Sequence, residues 1–196
     1  MTTLDRRAGI LLHLTSLPAP YGIGSIGAPA RSWVRWLGQS GCALWQFLPL
    51  GPTGFGDSPY QTLSAFAGNP LLIDIDDLAA RGLLDPNQLS TFDRGASDRV
   101  DYQAVAESHG RALGLAVEAF NRGKGESLRP QFEDYKQRNA DWLDDYGLFM
   151  ALKESHHQAA WTDWPAPLAR RQPSALIQAA DQHHDRIEAH RFAQFL

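Results

Sequence analysis

The run ALWQFLPLGPTGFGDSPY, Ala43 to Tyr60, narrows the possible folds of this chain more than any other stretch. Ala43 to Leu48 is apolar, too short for an ordinary helix, and bounded by Gly41 and Pro49. It therefore reads as a buried strand. A loop rich in glycine and proline opens at its C-terminal end and carries Thr53, Phe55, Asp57, Ser58 and Tyr60. Polar and aromatic groups on a loop after a buried strand mark a candidate ligand site. The plainer reading is a tight structural turn, which is what glycine and proline chiefly make.

Gly9 to Leu14, GILLHL, is a second short apolar run and ends in the loop opening Thr15-Ser16-Leu17-Pro18. Between the two runs, Ala30, Trp33, Val34 and Leu37 recur at helical spacing with Arg31, Arg35 and Gln39 among them. Pro29 suits the first turn of that helix, and Gly41 supplies a left-handed stop. Strand, loop, helix and strand make a βαβ unit. Continuous apolar strands so joined predict a parallel sheet covered on both faces, with sites beyond the C-terminal strand ends. Thr15 to Gly27 and Gly51 to Tyr60 would then share one rim.

After Tyr60 the alternation stops. Leu71 to Ile75 reads as a short strand or extended run, and Asp76 to Leu84 as a short helix stopped near Gly82. Asp101 is placed to cap a helix from Tyr102 to about Asn121, whose Val105, Ala112, Ala116, Val117 and Phe120 share a face. Further helices are expected after Pro130, over Trp142 to about Glu154, and as one last helix from Pro173 through Phe192. The reading divides the chain at 1–60, 61–172 and 173–196: a βαβ part with its substrate loop, a mainly helical insertion, and a helix leading back. Two strands close no barrel, so a larger α/β protein is implied, with another strand soon after Leu196.

Composition limits the function classes. The 196 residues are 43% hydrophobic and 20% charged, which is globular, and fit one domain or part of a barrel of about 250 residues. A net charge of −4 gives no electrostatic footprint for nucleic acid. Cys42 is the single cysteine, and burial is the expected fate of its thiol in a reducing compartment. No apolar run approaches the roughly 20 residues of a membrane span, and the first ten residues lack a secretory core. A cytoplasmic protein without a membrane or nucleic-acid partner is expected.

The chemistry motifs are mostly negative. Gly51, Gly54 and Gly56 do not have dinucleotide-fingerprint spacing, and no lysine precedes Lys124 to complete a phosphate loop. No cofactor is implied. The adjacent pairs His156-His157 and His183-His184 point about 100° apart on a helix and converge on no metal. Glu188 near them reads as part of a solvated face. No GxSxG elbow surrounds any serine. Asp74, Asp76 and Asp77 read as helix-start acids, and no carboxyl pair suits glycoside cleavage, which needs two about 5 to 9.5 Å apart. His13 reads as a core histidine rather than a rim residue, because it falls inside an apolar run.

The stretches RAGILLHLTSLPAPYGIGSIG, LWQFLPLGPTGFGDSPYQ, SAFAGNPLLIDI, RVDY and WLDDYGLFMALK together resemble the N-terminal part of the amylomaltases, the bacterial 4-alpha-glucanotransferases. The likeness runs from about Arg7 to the end and is strongest from Gly9 to Asp74. It implies a partial (β/α)8 barrel with a large helical insertion. It also implies transfer of α-1,4-glucan segments between maltooligosaccharides with retention: an aspartate attacks the anomeric carbon, a glutamate protonates the leaving oxygen, and an acceptor hydroxyl then takes the place of water. The resemblance puts those carboxylates on strands beyond Leu196, so no catalytic residue is expected in this chain.

What carries over is binding. The resemblance makes Tyr60 the tyrosine packing on the sugar beside the scissile bond and Ser58 a polar contact in the same groove. Phe55 falls where some members place a tyrosine that stacks on glucan at a secondary site, with Tyr102 its partner; a phenylalanine keeps the apolar face and loses the hydroxyl. Asp57 is expected to shape the loop through bonds from neighbouring backbone N–H groups. Two other readings stay open: a non-catalytic glucan-binding or helical interaction module, and a hydrolase of the α-amylase clan.

Overall fold

The computed structural model describes residues 6–93, 95 and 98–196, with the backbone alone at Phe55. Two compact units divide the chain, Met1–Gly125 and Glu126–Leu196.

In the first unit, β1 (Gly9–Leu11) pairs in parallel with β2 (Leu44–Gln46), setting Gly9 opposite Leu44 and Leu11 opposite Gln46. The connection is α1 (Ala28–Gln39), with Pro29 in its first turn. Its end is a Schellman turn. Cys42 N–H donates to the Leu37 carbonyl (3.0 Å) and Gly41 N–H to that of Gly38 (3.2 Å), while Gly41 takes φ +73, a conformation glycine adopts without Cβ strain. The βαβ order is therefore as expected.

Both strands are shorter than their apolar runs. Leu14–Ser16 leaves β1's direction as a single 3-10 turn and drops Leu14 into the core. The expected cover on both faces is also corrected. Alternation puts Ile10, Leu12 and Trp45 on the half-buried side. Leu11 and Leu44 on the other are 59% and 52% exposed. Helix α1 and the Leu14–Leu17–Ala30–Leu72 cluster cover one face, and among the described residues nothing comparable covers the second.

The extended run expected over Leu71–Ile75 is instead a 3-10 turn, Pro70–Leu72, which Asn69 caps by accepting from Leu71 N–H at 3.0 Å. Asp74 then caps α2 (Ile75–Ala80), accepting from Asp77 N–H at 3.1 Å. Asp101 does the same for α3 (Tyr102–Asn121) through Ala104 N–H at 3.0 Å. Val105, Ala112, Ala116 and Phe120 are buried as their spacing requires, joined by Ser108 and His109.

The acids at 74, 76 and 77 do more than start a helix. Ser25 Oγ donates to Asp74 Oδ2 (2.5 Å), Tyr21 Oη to Asp76 Oδ1 (2.5 Å), and Arg31 pairs with Asp77 (3.1 Å). Ile26 N–H adds a backbone bond to the Leu72 carbonyl at 2.8 Å. The glycine-rich loop before α1 is thus fastened to the start of α2. Burial, followed by the bond to Asp76, holds the Tyr21 phenol neutral well above its ordinary range.

In the second unit α4 (Arg129–Arg138), α5 (Ala140–Ser155), α6 (Ala166–Ala169), α7 (Pro173–Gln182) and α8 (His184–Phe195) follow in order. The single helix expected from Pro173 is two, because His183 leaves helical geometry at φ −111, ψ 19. The break lets α7 and α8 each pack on α5. At Gly147 an added Cβ would lie 3.1 Å from Ile187 Cγ2, so α5 and α8 meet closely there. Phe132 meets Phe192 edge-on at 5.3 Å. Glu188 is not a solvated face: it accepts from Lys136 Nζ at 3.0 Å and from Arg191 at 2.6 Å.

Gly27 has no room for a side chain, since a Cβ would sit 1.7 Å from Asp74 Oδ2. Gly27→Ala is expected to lower stability by roughly 2–3 kcal/mol by forcing that buried carboxylate aside. An unchanged urea midpoint would contradict the fastening described here.

Candidate functional site: the rim beyond the two strands

The C-terminal ends of β1 and β2 release their loops side by side. From β1 come His13, Thr15 and Ser16; from β2 comes the segment Pro49–Tyr60, closed on itself by a bridge between Thr53 and Thr62. Gly54 N–H donates to the Gln61 carbonyl (2.8 Å) and Leu63 N–H to that of Pro52 (3.0 Å). The loop is therefore a hydrogen-bonded projection rather than a slack connection.

A cleft of about 220 Å³ opens where these segments meet, lined among others by His13, Ser16, Thr53, Asp57, Asn69 and Tyr102. Tyr102, in the first turn of α3, donates from Oη to Thr15 Oγ1 at 3.4 Å. Thr15, Ser16 and Tyr102 also line a second hollow of about 530 Å³ toward Asp98 and Arg99. The Tyr102–Thr15 contact stands between the two.

The expected residues fall as follows. Tyr60 is 72% exposed at the loop tip, one residue beyond Pro59 in the cleft wall. Ser58 is half-buried, and its Oγ accepts from Tyr60 N–H at 3.3 Å. Asp57 lines the cleft and turns the loop through a left-handed backbone, φ +54, while the side-chain bond to loop backbone belongs to Ser58. Tyr102 faces both hollows. Phe55 lies in the 3-10 turn Phe55–Asp57.

His13 is a correction. It lines the cleft instead of the core, half-buried, with Nδ1 buried and without a partner among the described residues. Its apolar run misled because β1 ends two residues earlier, at Leu11, so the alternation no longer governs position 13. The signal available was its place next to the loop opening Thr15-Ser16. Burial pushes the His13 imidazole below its ordinary pKa, keeping it neutral near pH 7. It then offers one donor and one acceptor nitrogen. Threonine and serine hydroxyls, an amide, a carboxylate and a neutral imidazole around an aromatic edge form a surface suited to a polyhydroxylated ligand. Among the described residues no group of three metal-binding side chains occurs, and no helix is long and apolar enough to cross a membrane.

A parallel strand pair joined by a covering helix, with its polar and aromatic residues gathered at the C-terminal strand ends and a helical segment following, is part of a (β/α) barrel with a helical insertion. Comparison with known proteins sharpens this. The 4-alpha-glucanotransferase family of glycoside hydrolases, family 77, matches residues 12–196. The Thermus thermophilus 4-alpha-glucanotransferase is 46% identical over 98% of this chain, and the Synechocystis enzyme 42% over 98%. An amylomaltase from Streptococcus agalactiae, solved in complex with acarbose, superposes with a TM-score of 0.90 over 97% of this chain at 35% identity. The chain belongs to the 4-alpha-glucanotransferase, or amylomaltase, family. It spans 38% of the length of each of these three relatives.

The depressed pKa of His13 has a sign that can be checked. Below the reference value of 6.5 the unfolded chain takes up a proton that the folded chain resists, so stability falls as pH drops from there through the folded pKa. Urea melts at successive pH values should show this slope reduced in His13→Gln. An identical slope in the variant would contradict the burial of this imidazole.

Proposed function

We propose that this chain forms one wall of the glucan groove in a 4-alpha-glucanotransferase that moves α-1,4-glucan segments between maltooligosaccharides by a retaining double displacement. The nucleophile and acid/base belong to other polypeptide of the complete enzyme, and the 196 residues alone are inert. The observation carrying this reading is the cleft at the shared strand-end rim, with the Tyr60 loop projecting beside it and with Asp57 and Tyr102 in its lining.

Within that wall, Tyr60 presents its ring to a sugar face and Ser58 holds the tyrosine's backbone while contacting a hydroxyl. Phe55 and Tyr102 serve a further glucan contact, and Asp57 sets the loop's turn. An exposed ring on a hydrogen-bonded loop is pre-organised, so little ordering is lost when sugar stacks on it. Keeping water from the glucosyl intermediate while an acceptor is bound is what separates transfer from hydrolysis, and a stacked wall serves that end. The division at 1–60, 61–172 and 173–196 is proposed for the complete barrel, as is a cytoplasmic setting.

Incubating the chain with maltotriose and separating the products should give no glucose and no longer oligosaccharides. Turnover without added protein would place the bond-breaking carboxylates inside these residues. In a calorimetric titration with maltohexaose, Tyr60→Ala is expected to weaken binding about tenfold, the scale of one lost aromatic contact. Unchanged affinity would remove Tyr60 from the wall.

A further inference from the structure

The helical second unit contains a hollow of its own. About 260 Å³ in volume, it is lined by residues of α5, of the segment 156–165 that joins α5 to α6 and holds the 3-10 turn Trp161–Asp163, and of α6, including Phe149, Trp161, Trp164 and Leu168. Asp145 and Arg171 stand in the same lining. Trp164 is 7% exposed and packs on Phe149 at 5.7 Å, forming the fixed floor. Trp161 is 55% exposed, an indole left open beside an apolar hollow.

The ion pair in this lining has an unusual construction. α6 ends in a Schellman turn, with Arg171 N–H donating to the Leu168 carbonyl (2.9 Å) and Gln172 N–H to that of Pro167 (2.9 Å). The residue at the left-handed position of such a turn is most often glycine. Here it is Arg171, at φ +52. A side chain at that position costs on the order of 1 kcal/mol of backbone strain, and an exposed ion pair returns no more than about that amount. Stability alone therefore does not account for an arginine in this turn. One terminal nitrogen of Arg171 reaches both Asp145 oxygens at 2.9 Å, which leaves its other two guanidinium nitrogens without partners among the described residues.

Resting on the reading of this chain as part of a glucan-handling enzyme, we propose that the hollow is a further α-glucan subsite, in addition to the groove and the Phe55 and Tyr102 contact. Trp161 takes the C–H face of a terminal glucosyl ring, while the Asp145 carboxylate accepts from, and the unpaired Arg171 nitrogens donate to, its neighbouring hydroxyls. The composition fits a sugar better than a purely apolar guest, since it joins an aromatic wall to a paired donor and acceptor at one edge. At about 260 Å³ the hollow lies just under the range of drug-sized pockets, so it receives one ring at a chain end rather than a length of helix.

The test is a two-site titration of the 196-residue chain with maltotriose, followed by NMR at the Trp161 indole N–H and at the Tyr60 amide, with cellotriose as the β-linked control. The Trp161 signal should shift with maltotriose and not with cellotriose. It should do so equally in Tyr60→Ala, and with roughly tenfold weaker affinity in Arg171→Met. Trp161→Phe, which keeps a ring in the wall should Trp161→Ala fail to fold, identifies the indole signal by its disappearance. A Tyr60 shift with a silent Trp161 overturns the subsite and leaves the groove standing. Silence at both sites overturns the groove reading and the subsite with it. A Trp161 shift unaffected by Arg171→Met, or equal with cellotriose, marks unspecific stacking and overturns the proposal.

Discussion

The buried carboxylate of Asp74 is the contact on which the first unit depends. One oxygen caps α2 and the other accepts from Ser25 Oγ, so a single side chain both starts a helix and anchors the loop that enters α1. Its neighbours extend the effect, Asp76 through Tyr21 and Asp77 through Arg31. A buried charge without such partners is strongly destabilising, whereas one whose lone pairs are filled is tolerated and restricts the alternatives. The close approach at Gly27 is the steric side of the same joint. Because the segment from Thr15 to Gly27 runs between the rim and this joint, the position of Thr15 and Ser16 in the cleft follows from it.

What the sequence made legible was local. Asp74 and Asp101 as caps, Pro29 as a helix start and Gly41 as a stop each act over two to four residues, and each appears where its chemistry requires. The βαβ order was readable for the same reason, from two apolar runs and a helical period between them. Non-local partnerships were not. Nothing in Ser25 or Tyr21 announces an aspartate some fifty residues later. The turn at His183 involves no glycine or proline, so its cause is the packing of α7 and α8 on α5. His13 was misplaced because a run of apolar letters does not say where the strand within it ends.

The site was legible in a similar proportion. The Gly51–Tyr60 loop was identifiable from its residue types, and its place beside the Thr15 turn followed from parallel pairing. The cleft's remaining polar lining, Asn69 and His13, was not, because a cleft is made by segments that meet only in three dimensions. The exposed faces of Leu11 and Leu44 belong to the same account. They form an apolar surface of a kind that a complete barrel buries.

On the proposed function, residues 6–93, 95 and 98–125 carry a glucan-gripping surface without the groups that cleave the glycosidic bond. A crystal of this chain soaked in maltohexaose examines it most directly. The expected map has unbroken sugar density against the Tyr60 ring and reaching the cleft at His13, Asp57 and Tyr102, with intact glycosidic linkages throughout. Sugar bound elsewhere with that rim empty, or a glucosyl unit covalently attached to a carboxylate of this chain, would contradict it.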